Sequence, residues 1–77
     1  MKDKRKKKLA LNIKAERTRK GYTQFELAEK INMSESSISL IERGIQTPSV
    51  LVVYDIAKVL NIDINELFKN IEWLWQF

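Results

Sequence analysis

Apolar residues recur along this chain at the three- and four-residue spacings of amphipathic helices. Nowhere do Val, Ile and Thr alternate with polar residues over a strand-length stretch. Five helices are predicted, with no internal repeat. The first covers residues 6–20: Leu9, Ile13 and Arg17 fall four apart on one face, Ala10 lies beside them, and Gly21 is the stop. Residues 2–8 are nearly all basic, and the first half of that run is expected to fray. The second helix opens at Thr23. There TQFE reads as a capping box, the Thr23 hydroxyl taking the Glu26 amide while the Glu26 carboxylate reaches back. Leu27, Ala28 and Ile31 form its buried stripe. Asn32, which tolerates the left-handed conformation, ends it in the turn INMS. A third helix follows Ser34, a good N-cap, and runs to Gly44. Ile38 and Ile41 point inward, which leaves Glu35, Ser36, Ser39, Leu40 and Arg43 on outer or flanking faces. In TPS, Thr47 is the expected cap and Pro48 the first residue of a fourth helix reaching about residue 60. Its inward positions are Val50, Val53, Ile56, Ala57 and Leu60. Asp63 and Glu66 predict another cap, opening a short fifth helix with Ile64, Leu67 and Phe68 inward. The chain then runs into the aromatic segment NIEWLWQF.

Composition narrows the chemistry. At 77 residues the chain suits one domain, with thin margins for a core. Cysteine and histidine are absent, which removes disulfides, thiolate metal sites and the usual general base. There is no Gly-rich phosphate loop and no acidic cluster at metal-ligand spacing, so no enzyme, metal or cofactor is expected. No apolar run approaches the roughly 20 residues that span a bilayer, and no secretory h-region follows the basic start. A soluble intracellular protein is the expectation.

The net charge of +4 hides an asymmetry. Residues 1–20 carry ten Lys or Arg against Asp3 and Glu16, a net of +8. Residues 21–77 carry four basic side chains against eight acids, a net of −4. Such a split suits a polyanion such as nucleic acid or an acidic membrane, or else a solvated tail that aids solubility. Membrane attachment is disfavoured, because the first helix lacks a broad aromatic apolar face.

Four serines crowd SESSISLIERG although serine is a mediocre helix former. The stretch YTQFELAEKINMSESSISLIERGIQTPSVLVVYDIAKVLNIDINELF resembles the Cro/cI-type, or Xre, helix-turn-helix family across residues 9–68. Thr23-Gln24 with Glu26-Leu27-Ala28, then Ile38, Ile41-Glu42-Arg43-Gly44 and Pro48-Ser49 carry the resemblance. It implies an all-α, five-helix, lambda-repressor-like DNA-binding domain, with the helix-turn-helix formed by helices 2 and 3. The expected layout is a basic, partly frayed arm at 1–8, the helix-turn-helix domain at 9–69 and an aromatic tail at 70–77.

The resemblance gives the serines a role. Small hydroxyl side chains let a recognition helix lie close to base edges in the major groove; the alternative is surface filling after an N-cap. By similarity Glu35, Ser36, Ser39 and Leu40 face bases, Glu35 toward a cytosine amino group and Leu40 toward a thymine methyl. Gln24, Ser37, Arg43, Gln46 and Thr47 are the implied phosphate contacts. The resemblance also implies a sheltered ion pair between Arg17 and Glu42 that ties helix 1 to helix 3, against two independent surface charges as the alternative.

Phe25, Ile45, Leu51, Val52 and Asn32 depart from the family pattern, and no basic residue leads the recognition helix. Leu51, Tyr54, Trp73, Trp75 and Phe77 form an apolar excess that can serve a homodimer contact or, for the tail, fold back on helices 1 and 4. The implied function is sequence-specific transcription regulation, a repressor binding double-stranded DNA with two-fold symmetry as a homodimer. The competing reading is a protein-interaction module, such as an antitoxin engaging its partner through the apolar C-terminal surface. Either suits a cytoplasmic protein of bacterial or phage origin, at the nucleoid in the first case.

Overall fold

The computed structural model describes residues 4–71. Five helices follow in order: α1 (Lys4–Arg19), α2 (Gln24–Lys30), α3 (Glu35–Glu42), α4 (Val50–Leu60) and α5 (Asn65–Phe68). There is no strand among the described residues. One core serves all five. Leu9 and Ile13 from α1 meet Leu27 and Ala28 from α2, Ile38 and Ile41 from α3, Val53, Ile56, Ala57 and Leu60 from α4, and Leu67 from α5.

The first four helices end alike. Gly21, Asn32, Gly44 and Asn61 take positive φ. The next residue's N–H then returns to the carbonyl five positions earlier: Tyr22 to Arg17, Met33 to Ala28, Ile45 to Leu40 and Ile62 to Ala57. This closure satisfies carbonyls that a helix end otherwise leaves open. It also turns the chain sharply enough to fit four helices within a body of 40 × 24 × 20 Å.

The structure corrects four expectations. First, α1 begins at Lys4, two residues before the expected start at residue 6. Second, α4 is capped by Ser49, whose hydroxyl accepts from the Val52 N–H at 3.2 Å, and not by Thr47. Serine is the better cap, and the fixed φ of Pro48 suits an extended lead-in as well as a first helical turn. Third, Val50, expected inward, is 71% exposed; as the first residue of α4 it stands at the helix end, clear of the core. Fourth, Phe68, expected inward, is 40% exposed, because α5 is too short to bury it; the expected Asp63 cap is in place ahead of the helical Ile64, its Oδ1 accepting from the Asn65 N–H at 2.8 Å.

A polar latch holds that short helix. Asn12, buried on α1, donates both amide hydrogens, to Leu67 O at 3.0 Å and Lys69 O at 2.9 Å. One turn on, the buried Glu16 carboxylate accepts from Arg19 Nε at 3.0 Å, with Lys69 Nζ 3.5 Å away. The Arg19 guanidinium beside it holds Glu16 below its ordinary value despite burial, and Lys69 adds to the effect.

Candidate nucleic-acid interface

The α2–α3 unit is built from its caps outward. The Thr23 hydroxyl accepts from Glu26 N–H at 3.0 Å and the Glu26 carboxylate accepts from Thr23 N–H at 2.8 Å, a closed capping box. Asn32 at φ 60° turns the chain, and Met33 N–H closes on the Ala28 carbonyl at 2.9 Å. Ala28 is buried in the core that α2 and α3 share, where a larger side chain would push the two helices apart. Ser34 then caps α3, accepting from Ser37 N–H at 3.1 Å.

With Ile38 and Ile41 fully buried, α3 shows its other side to solvent. Glu35 and Ser36 are exposed there, and Ser39 and Leu40 are half-buried. Ser37 lies nearer the cap, its hydroxyl 2.9 Å from that of Ser34. Beyond α3, Arg43, Gln46 and Thr47 are exposed on one loop. The Leu40 carbonyl accepts from Ile45 and Gln46, which fastens that loop to the end of α3. Phe25 and Ile45 stand more than half exposed beside the same surface.

Behind this surface sits a charged knot. Arg17 Nε donates to Glu42 Oε2 at 2.7 Å and Nη2 donates to Oε1 at 2.9 Å, a bidentate pair. The side chains are only 11% and 2% exposed. A third donor, Arg17 Nη1, reaches the Tyr22 carbonyl at 2.7 Å. Gln24 Nε2 adds a bond to Glu42 Oε1 at 3.0 Å. Gln24, singled out from sequence as a phosphate contact, therefore spends one amide hydrogen inside the protein. The knot joins the end of α1, the start of α2 and the end of α3. A carboxylate taken from water at the end of α3 is tolerable because three donors meet it. No buried side-chain polar atom among the described residues lacks a partner.

Leu51 and Tyr54 lie exposed along α4, with Lys58 Nζ 6.0 Å from the Tyr54 ring centre. Val52, on the same helix, is half-buried against the core. Trp73, Trp75 and Phe77, the rest of that apolar group, lie outside the described residues, as do residues 1–3. No helix among the described residues is long and apolar enough to cross a membrane. Sequence reasoning missed Asn12 and Glu16 as buried groups. The available signal was their spacing: each follows a core residue, Leu9 or Ile13, by three positions.

Comparison with known proteins places this geometry. A family model described as Helix-turn-helix matches residues 13–67. A Bacillus subtilis protein named as the uncharacterized HTH-type transcriptional regulator YazB is 46% identical over 55 residues, covering 71% of this chain and 80% of the relative. The restriction-modification controller protein C.AhdI from Aeromonas hydrophila superposes with a TM-score of 0.77 at 31% identity, over 80% of this chain and 94% of that one. The biofilm master regulator SinR, solved in complex with DNA, gives a TM-score of 0.71 at 38% identity, over 77% of this chain and 95% of that one.

Proposed function

The chain belongs to the helix-turn-helix family, and from that premise we propose that it is a sequence-specific regulator of transcription that binds duplex DNA through α3. The observation that carries this reading is the division of α3. Ile38 and Ile41 are sealed in the core, while Glu35, Ser36, Ser39 and Leu40 form its opposite side. A helix so anchored can enter the major groove, and small hydroxyls let its backbone approach base edges. Ser37, Arg43, Gln46 and Thr47 then hold phosphates on either side. Gln24 has one free amide hydrogen for the same task, and the Arg17–Glu42 knot fixes the angle at which α3 is presented.

Repression through a two-fold site, by a homodimer in the cytoplasm, completes the proposal. The exposed Leu51 and Tyr54 support a contact between copies. The same surface supports a second reading, a module that engages a protein partner such as a toxin. The two readings differ at the outer face of α3. Binding of the DNA upstream of the protein's own gene is compared with scrambled DNA across a salt series, for the wild type and the Ser36→Ala, Ser39→Ala variant. The regulator reading expects the wild type to prefer its own sequence by about 10³-fold or more, and the variant to lose that preference. Indifference to the serines favours the protein partner.

A further inference from the structure

The first two turns of α1 carry a feature that the α2–α3 unit does not use. Lys4, Arg5, Lys6, Lys7 and Lys8 follow one another, and the first turn of the helix holds no acidic residue. Asp3 is the single acid among residues 1–15. Five cationic side chains thus gather at the positive end of a helix dipole, where acidic residues are the favourable choice. The fold places this turn beside the candidate interface. Gly44, at the end of α3, backs onto it: a Cβ there would stand 3.6 Å from Lys7 Cα and 3.9 Å from Ala10 Cβ. Lys7, whose backbone lies against Gly44, and Arg43, which precedes Gly44 in the chain, are both exposed, and Lys4 is exposed one turn earlier on α1.

We propose that Lys4 and Lys7 form a further phosphate-binding site that holds the DNA backbone flanking the segment read by α3; this rests on the DNA-binding reading above. A backbone phosphate is an anion of the right charge for the exposed Lys4 and Lys7. Residues 21–77 carry a net charge of −4, so attraction for a polyanion is concentrated on α1. Because both lysines sit on a formed helix braced against Gly44, they extend the interface as a rigid ridge. A helix held in place gives up less conformational freedom on binding than a loose arm.

The full chain, its Lys4→Gln, Lys7→Gln variant and its Ser36→Ala, Ser39→Ala variant are titrated with one mixed-sequence DNA duplex across a salt series. All three are also melted without DNA. Losing two phosphate contacts lowers the slope of log K against log salt by about 1.8. The wild type then loses ~12-fold more affinity than the lysine variant between about 50 and 200 mM salt. The serine variant keeps the wild-type slope, and the lysine variant melts at the same temperature or higher. If the wild type binds and the lysine variant keeps its slope, this site is overturned and the DNA reading stands. If the wild type binds no duplex, the DNA reading falls and takes the site with it. Binding to phosphatidylserine vesicles in place of duplex overturns the site in favour of a membrane surface. A lower melting temperature for the lysine variant overturns it too, by making the lysines part of the fold's own support.

Discussion

Glu42 is the residue whose loss reaches three helices at once. Its carboxylate accepts from Arg17 on α1 and Gln24 on α2 while it ends α3. Glu42→Ala leaves a guanidinium that is nearly buried with only the Tyr22 carbonyl, and one-sided removal of a sheltered pair costs about 3–5 kcal/mol. That is a large share of what a small domain has, so the urea midpoint is expected to fall far or the cooperative transition to vanish. Glu16 works on the acid side. Its folded-state value is depressed, chiefly by Arg19, so its contribution is fully present above the unfolded value of about 4.3 and is lost as pH falls through the lower folded value. Stability measured from pH 6 downward is therefore expected to decline less steeply in Glu16→Gln than in the wild type, and equal slopes would refute this role. Caps were the legible part at this scale. Thr23 and Ser34 announce themselves because a cap's partner lies two or three residues away. The pairing of Arg17 with Glu42 spans 25 positions and has no local signature, so only the family resemblance could suggest it. Asn12 had no such help, because its acceptors are backbone carbonyls 55 and 57 positions on, which no side-chain pattern encodes.

Among the elements, α5 depends most on its neighbours. Four residues are far below the length at which a helix stands alone. The helix exists because Leu67 enters the core and Asn12 holds the carbonyls of Leu67 and Lys69. Asn12→Ala removes two donors and strands their acceptors, at a cost of about 1–3 kcal/mol. Amide exchange is expected to accelerate in residues 65–69 well beyond its change in α2 and α3; a uniform change would mean that α5 does not depend on this latch. The sequence pattern was sound wherever a helix crossed the core for about two turns or more, as α1 to α4 do. It misled at ends. Val50 has the right spacing from Val53 but sits where α4 has just begun, and Phe68 has the right spacing from Ile64 but closes a helix with little surface to pack on. Periodicity reports phase along a helix and carries no information about how far the neighbouring elements extend.

At the level of the whole molecule, the presence of one α3 per copy constrains how a two-fold site can be read. The body is 40 × 24 × 20 Å and offers a single α3. Half-sites of a two-fold operator lie about 34–36 Å apart along the duplex. One copy cannot set recognition helices in both, so the proposed regulator must engage such a site as a pair, each copy using the same surface. The proposed contact would start from the exposed Leu51 and Tyr54 on α4. Leu51→Glu with Tyr54→Glu places like charges face to face across a two-fold axis, which opposes pairing without touching the core. Sedimentation at tens of micromolar should then show a dimer for the wild type and a monomer for the variant. Affinity for a two-fold site should fall toward that for a single half-site, which both proteins should bind alike. A wild-type monomer at that concentration would count heavily against the dimer. A variant that stayed dimeric would move the contact away from α4 and toward the aromatic residues that follow α5.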